Sequence, residues 1–158
     1  MRPGNNILHF AKVIGLLLIV AMIWLTANRT SAPARYSNDQ PKATGNFAEG
    51  GAEGTWTWWY PNGKKMSEGV FVKGKRNGIW HTWYGHGQKK SEATYKDDKL
   101  NGPYTTWHEN GKIKSLRHYK DDLLDGAQQY YDTAGILIME KFYIGGEVAT
   151  KGKDNNNH

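Results

Sequence analysis

The sequence has no cysteine among its 158 residues. This absence excludes a disulfide framework, a cysteine nucleophile and a thiolate metal site. After residue 27 the chain also lacks a long apolar run and any helical periodicity. Its many glycines never form a phosphate-binding loop ahead of a helix. What remains for the body of the chain is a cysteine-free fold made of strands and turns.

Acidic residues are absent before position 36, a stretch that holds Arg2, Lys12, Arg29 and Arg35. These four residues account for most of the formal net charge of +6 and leave only +2 on residues 36–158. A nucleic-acid-binding domain is usually more basic than this. We therefore predict no nucleic-acid partner.

Residues 13–27 form the only long apolar run, and basic residues precede it. This arrangement is typical of an export signal, so residues 1–27 are predicted to be a signal peptide or a signal-anchor helix. Two alternatives stay open. The segment is either an uncleaved N-in, C-out anchor in the cytoplasmic membrane, or it is cleaved near Ala32-Pro33-Ala34 to give a periplasmic or secreted protein. Both place the body outside the cytoplasm.

The body is a tandem repeat with a period of 24 residues and no insertion. The period predicts full repeats over 54–77, 78–101, 102–125 and 126–149, and a half repeat over 46–53. Polar composition predicts a linker over 28–45 and a disordered tail over 150–158. Four columns keep the register: Gly54, Gly78, Gly102 and Gly126; Gly63, Gly87, Gly111 and Gly135; Phe71, Tyr95, Tyr119 and Tyr143; and Trp59, Trp83, Trp107 and Tyr131.

Each repeat is predicted to be a β-hairpin. Asn62-Gly63 and Asn110-Gly111 indicate type I′ turns, in which both central residues need positive φ. The pairs Asn77-Gly78, Asn101-Gly102 and Asp125-Gly126 are predicted to mark the return turns. The fold class is therefore all-β: tandem antiparallel hairpins in an elongated single-layer meander of about nine strands, preceded by one hydrophobic helix.

Aromatic residues are expected to replace a normal core, because large rings can shield one face of a single-layer sheet. The two tryptophan columns are three residues apart, so strict alternation places them on opposite faces. A β-bulge is the alternative that would bring them to one face.

The unit Gly-x-Trp-x-x-Trp-Tyr-x-Asn-Gly-Lys, followed by Ser-Glu-x-x-Tyr, resembles the variant form of the MORN (membrane occupation and recognition nexus) repeat. The clearest copy covers 78–95, and the resemblance covers about 46–149. It implies tandem hairpins in a curved sheet. Bacterial proteins of this kind resemble a family labelled as antitoxins of toxin–antitoxin systems, which implies a protein partner rather than catalysis.

No catalytic, cofactor or metal site is predicted, and the protein is not expected to be an enzyme. The histidines lack metal-ligand spacing. Glu68, Glu92 and Glu140 recur once per repeat, which favours pairing with a lysine of the neighbouring strand over catalysis. Ser67, Ser91 and Ser115 recur without a nucleophile elbow.

The predicted function is a non-catalytic scaffold outside the cytoplasm that binds an unidentified protein partner, and an antitoxin-like role is one instance of this prediction. The scaffold would bind through a sheet face or an open sheet edge. The alternative is a module that binds cell-wall glycan or an anionic membrane surface. Candidate partner-binding residues are the aromatic columns and the basic hairpin tips: Trp56, Trp59, Trp80, Trp83, Tyr104, Trp107, Lys64, Lys65, Lys89 and Lys90.

Overall fold

The computed structural model describes residues 34–149. The predicted signal or anchor segment at 1–27 and the predicted tail at 150–158 lie outside the described residues. Residues 34–149 include no helix with the length and apolar character needed to span a membrane.

The described residues form one antiparallel sheet of eleven strands: β1 (Ala43–Ala48), β2 (Gly51–Trp59), β3 (Lys65–Val72), β4 (Lys75–Trp83), β5 (Lys89–Lys96), β6 (Lys99–Trp107), β7 (Ile113–Lys120), β8 (Leu123–Leu124), β9 (Gly126–Tyr131), β10 (Leu137–Ile144) and β11 (Glu147–Val148). The strands follow one another in chain order, with β8 and β9 both paired to β7. The predicted all-β meander of hairpins is confirmed, although it has eleven strands rather than about nine. The two additional strands, β8 and β11, are two residues long.

The return turns lie at Lys73-Gly74, Asp97-Asp98, Asp121-Asp122 and Gly145-Gly146, so the prediction that placed them at Asn-Gly and Asp-Gly pairs was wrong. Both residues of each pair have positive φ, and the flanking residues pair directly, as in a two-residue type I′ hairpin. Aspartate tolerates this left-handed backbone better than most residues do.

Asn77-Gly78 and its equivalents lie inside the strands instead. Gly78 has a φ of 75° next to a register shift between β3 and β4. Its column is therefore a column of bulge glycines, since a strand can accommodate an extra residue at such a backbone angle most easily when that residue is glycine.

The hairpin tips at Asn-Gly are not type I′ turns, which corrects the other turn prediction. At Asn62-Gly63 only the glycine has positive φ. The Tyr60 carbonyl accepts from Gly63 N–H at 2.9 Å, and Tyr60 N–H donates to the Lys64 carbonyl at 2.8 Å. This is a turn followed by a left-handed glycine that forms a bulge, the common three-residue hairpin loop.

The ordered array begins before the predicted half repeat. Residues 36–40 form a turn closed by a Tyr36 N–H to Gln40 carbonyl bond, and β1 starts at Ala43, so part of the predicted linker is turn and strand. Tyr36 and Asn38 lie 24 residues before Tyr60 and Asn62. The repeat columns thus continue upstream, which explains the additional ordered turn.

The sheet encloses almost no apolar core. Among residues 34–149 the one buried apolar side chain is Ala93, at 5% exposure, and the fully buried residue of largest volume is Gln128. The sheet is stabilised instead by aromatic side chains that pack on its surface and by hydrogen bonds between repeats.

Candidate functional site

The two tryptophan columns lie on opposite faces of the sheet. Trp80 packs with Phe71 at a ring separation of 5.0 Å and with Trp58 at 5.6 Å, whereas Trp83 packs with His81 at 5.7 Å on the other side. A bulge does occur between Thr82 and Trp83, but it does not unite the columns. We call the side of Trp56, Trp80 and Tyr104 the aromatic face and the side of Trp59, Trp83 and Trp107 the opposite face.

On the aromatic face the indoles of Trp56 and Trp80 each lie directly over a glycine of the preceding strand. A Cβ built on Gly69 would lie 2.1 Å from Trp80 Cδ2, and one on Gly45 would lie 2.2 Å from Trp56 Cδ2. The indole N–H of Trp80 also donates to the Val70 carbonyl at 3.2 Å. The indoles of Trp56 and Trp80 are therefore packed tightly into the fold.

The opposite face carries a charged row that pairs within itself. Lys65 Nζ lies 2.6 Å from Glu68 Oε2, and Lys89 Nζ lies 2.8 Å from Glu92 Oε2. Glu68 and Glu92 thus pair with a lysine of their own strand, not of the neighbouring strand as predicted, and Glu140 accepts from Gln129 Nε2 at 2.7 Å. The hydrogen bond from its lysine lowers the pKa of Glu68 and of Glu92.

The same two lysines cover Trp83 and Trp107, two of the three tryptophans of the opposite face. Lys65 lies over the ring of Trp83 and Lys89 over that of Trp107, 5.8 and 5.2 Å from the ring centroids. A flat ligand that stacks on these rings would have to displace a paired lysine first.

The hairpin tips bind one another along the array, a role that the sequence did not reveal. Tyr60 donates its hydroxyl to the Trp83 carbonyl at 2.9 Å, and Tyr84 does the same to Trp107 at 2.8 Å. Lys64 donates its ammonium to the His86 carbonyl one repeat further on. Of the predicted basic tips, Lys64, Lys65 and Lys89 are therefore engaged within the fold.

Lys90 differs from these, because it lies over the Tyr84 ring at 5.6 Å and lines a groove on the aromatic face. The groove has a volume of about 270 Å³ and spans the second, third and fourth repeats. Its lining combines three tyrosines (Tyr84, Tyr104 and Tyr130), three cations (Lys90, Lys114 and Arg117) and the hydroxyls of Ser91, Thr106 and Ser115. Trp107 also lines it, although its ring lies under Lys89 on the opposite face.

Sequence reasoning identified Tyr104, Trp107 and Lys90 of this groove but missed Lys114 and Arg117. Arg117 lies at the column that holds Gly45 and Gly69 in earlier repeats, so its departure from the pattern was a signal available in the sequence. The structure brings these five residues together, whereas Trp56 and Trp80 lie further up the array.

A second exposed feature is strand β10, in which every residue except Tyr143 is exposed. Its apolar side chains include Ile138 at 64% and Phe142 at 52% exposure. On its outer side β10 meets β11 through Tyr143 and Ile144 alone. The stretch 137–141 has no outer strand partner among the described residues.

The described part of the chain contains no group of three or more His, Asp and Glu side chains that could hold a metal ion. His81 Nδ1 lies 3.4 Å from Glu92 Oε2 and forms part of the charged row. The repeated serines bond to neighbouring threonines instead: Ser91 Oγ lies 2.6 Å from Thr82 Oγ1, and Ser115 Oγ lies 2.7 Å from Thr106 Oγ1.

Three consecutive segments match the family model described as the MORN repeat variant. They are residues 52–73, 76–97 and 100–121, each of which covers one hairpin at the 24-residue spacing seen in the fold. The fourth hairpin, β9 with β10, is not matched. Gln128, Ala134 and Ile136 replace the Trp, Asn and Lys of the pattern there. No curated protein matches the chain. MORN repeats are generally non-catalytic binding modules.

Proposed function

We propose that the chain is a non-catalytic scaffold that binds an extended segment of a partner protein along the outer edge of β10. The observation that carries this proposal is that β10, the last long strand, has an outer backbone edge that is unpaired over 137–141 among the described residues, with apolar side chains on both faces. The MORN-variant repeats support the binding role in general, and the edge suggests the kind of partner.

An open edge offers unpaired backbone N–H and C=O groups to any extended chain that reaches it. Proteins usually protect such an edge with charge, proline or a covering element. Here the only charges in β10 are those of the adjacent Glu140 and Lys141, and there is no proline. β11 covers the end of the strand near Tyr143 and leaves 137–141 accessible.

The apolar side chains on this strand would be an aggregation liability if nothing covered them. Ile138 and Ile144 are 64% and 65% exposed, and Ile136, just ahead of the strand, is 64% exposed. A partner strand with apolar side chains on both of its faces would bury these residues and complete the backbone hydrogen bonds at once. The proposed partner segment is therefore extended, apolar and free of proline.

The site of action that we propose is outside the cytoplasm, at the membrane or beyond it. The support is the apolar run at 13–27 with basic residues ahead of it, followed by a cysteine-free repeat domain. Neutralisation of a toxin is one instance of partner binding that this proposal includes. The mass of the mature N-terminus, measured after fractionation, tests the location: a start at Met1 in the cytosol would refute it.

Binding to cell-wall glycan or to an anionic membrane surface is the second candidate. It needs accessible ring faces or accessible lysines. Lysines cover Trp83 and Trp107, and Lys64 is bonded within the array. These contacts count against binding through the opposite face, whereas Lys90 stays exposed on the aromatic face. Pelleting with peptidoglycan or with anionic vesicles at low salt would revive this candidate.

Site-specific photo-crosslinking in the native cells tests the edge proposal. A photoreactive residue replaces Ile138, and the matched control replaces Ile79, an exposed isoleucine (52%) on β4 within the sheet. We expect one stoichiometric protein adduct at 138 and none at 79. Hydrogen exchange of the purified complex should then show new protection within 137–141 at the alternate amides that face away from β9, because strand addition pairs those amides. Equal adducts at both positions, or an adduct without that protection, would refute edge binding.

A further inference from the structure

The residues around the groove break the repeat pattern in three columns at the same place. The first aromatic column reads Trp56, Trp80, Tyr104 and Gln128; the column beneath the rings reads Gly45, Gly69, Ala93 and Arg117; and the column of the groove lysines reads Met66, Lys90, Lys114 and Ile138. A position that only maintains the repeat fold can keep the same residue in every repeat. Three columns that change residue at the same place therefore indicate a role that is specific to this groove.

The departures are physically coupled. Trp80 lies over a glycine and donates to the Val70 carbonyl, ten residues before it. Gln128 keeps that bond, since its Nε2 donates to the His118 carbonyl, also ten residues before it, at 3.2 Å. The amide has no ring, so it leaves room on the preceding strand for Arg117 where other repeats hold glycine.

Arg117 uses this room to place its guanidinium 4.4 Å from the ring centroid of Tyr104 and 5.9 Å from that of Tyr119. One nitrogen, Nη1, donates to the Tyr119 hydroxyl at 3.2 Å, and Nε is buried without an acceptor. No carboxylate among residues 34–149 lies within 4 Å of Arg117. A half-buried arginine usually has such a partner, so this one has unfilled capacity to bind an anion.

The other two cations of the groove share this property. Lys90 and Lys114 are exposed, and neither forms a salt bridge within the described residues. They stand at equivalent positions of adjacent repeats, roughly 10 Å apart by strand spacing. The groove thus has three cations and no acidic residue in its lining. This differs from the charged row on the opposite face, where each lysine has a glutamate.

We infer that this groove binds a carboxylate of an acidic peptide segment, with an aromatic or apolar neighbour of that carboxylate against Tyr104 and Tyr130. The inference rests on the proposed binding of a protein partner and adds a second contact to it. A volume of about 270 Å³ accommodates one or two side chains of a peptide. The planar guanidinium fork matches a planar carboxylate.

A phosphate group fits the groove less well. Phosphate sites in proteins commonly use backbone N–H groups at helix N-termini or in turns. The strands beneath this groove, β5, β6, β7 and β9, pair their backbone groups in the sheet. The hydroxyls of Thr106 and Ser115 are bonded to each other at 2.7 Å. Side-chain cations beside aromatic rings are the donors that remain.

The test uses the full chain and the labelled peptide Gly-Glu-Phe-Glu-Gly with blocked termini, followed by fluorescence anisotropy. Its glutamine counterpart and inorganic phosphate serve as the other two probes. We expect the acidic peptide to bind roughly tenfold or more tightly than the glutamine peptide at low salt, with an affinity that falls as salt rises.

Arg117→Gln and Lys114→Gln should each weaken binding of the acidic peptide several-fold. Lys114 is exposed, so its variant keeps the test valid if Arg117→Gln fails to fold. The matched control is Lys96→Gln, which removes the same charge from an exposed position on β5 outside the groove. The inference would be overturned if Lys114→Gln and Lys96→Gln weakened the affinity for the acidic peptide equally, or if the acidic and glutamine peptides bound equally well.

Displacement of the peptide by inorganic phosphate at the peptide's own concentration would also overturn the assignment to a carboxylate. The outcome is separable from that of the edge proposal. A chain that crosslinks through position 138 but binds no acidic peptide refutes the groove alone. A chain that binds the peptide through Lys114 but gives no adduct at 138 refutes the edge alone.

Discussion

Substitution of Gly69 by alanine tests the packing of the aromatic face, because it adds one methyl group beneath the Trp80 ring. A Cβ there would lie 2.1, 2.3 and 2.5 Å from three atoms of the Trp80 indole, and ordinary contact begins near 3.4 Å. The ring would have to retreat by more than 1 Å. The backbone of Gly69 is not in the left-handed region, so alanine brings no additional backbone strain.

The cost of this retreat can be estimated from the contacts that hold the ring. The indole N–H donates to the Val70 carbonyl at 3.2 Å and would lose that bond, which is worth about 1 kcal/mol. Phe71 meets the ring edge to face at 5.0 Å, a contact worth about 0.5–1.5 kcal/mol. Overpacking itself costs about 1–3 kcal/mol. Together these three costs predict that Gly69→Ala lowers the free energy of unfolding by about 2.5–5.5 kcal/mol.

Urea unfolding followed by tryptophan fluorescence measures this change. The matched control is Gly85→Ala, because a Cβ at Gly85 meets nothing within 4 Å and its φ is also not left-handed. The control should stay within about 0.5 kcal/mol of the parent. In a Trp80→Ala background, Gly69→Ala should cost little, since the clash is gone. Equal unfolding free energies for Gly69→Ala and Gly85→Ala would refute the packing argument.

Three further expectations concern the contacts between and within repeats. Tyr60→Phe should lower the unfolding free energy by about 0.5–1.5 kcal/mol, because the hydroxyl no longer reaches the Trp83 carbonyl; urea titration measures it. Asp121→Val should cost more than Asp121→Gly in the same assay, by about 1–2 kcal/mol, because φ is 50° there. The pKa of Glu68 is lowered by its bond to Lys65, so the stability that it contributes is present above the unfolded pKa of about 4.3 and is lost as pH falls through the folded pKa. The urea midpoint should therefore drop between about pH 5 and pH 3, and less so in Glu68→Gln.

The fold could be predicted from the sequence because the 24-residue period was unbroken and the strands had only one neighbour on each side. The turns were harder. Asn62-Gly63 has the composition of a type I′ turn, but the loop has one more residue than that turn needs, and Asn62 stays at negative φ. Asp97-Asp98 forms the type I′ turn without a glycine, so composition alone pointed to the wrong pair.

The candidate site was predictable only in part, for a different physical reason. Repeat columns draw attention to residues that recur, and recurring residues such as Trp80 and Lys64 proved to hold the repeats together. The groove depends on residues that do not recur. Arg117 was visible as an exception to a glycine column, but its meaning depends on Gln128, whose hydrogen bond to His118 only a structure reveals.

The hydrogen bonds at the two ends of the array distinguish two possible neighbours for β10, a strand of a partner protein and a further repeat. The tips bind in one direction along the chain: Tyr36 donates to the Trp59 carbonyl and Asn38 to the Pro61 carbonyl, both 23 residues later. The partial unit at the start thus supplies donors to the first repeat. At the other end Asp132 stands in the tyrosine column, and its carboxylate accepts Ala134 N–H and Ile136 N–H of its own turn at 2.9 and 2.8 Å.

Ala134 stands in the asparagine column of those tips and has no side-chain donor. The tips of the last repeat therefore offer nothing to a following repeat, while the backbone edge of β10 beside them stays open over 137–141 among the described residues. A fifth repeat, or a second copy stacked in register, would find its strand partner but not its tip bonds. A single added strand needs no tip bonds. The end of the array thus matches an extended segment of a partner protein better than a continuation of the repeat.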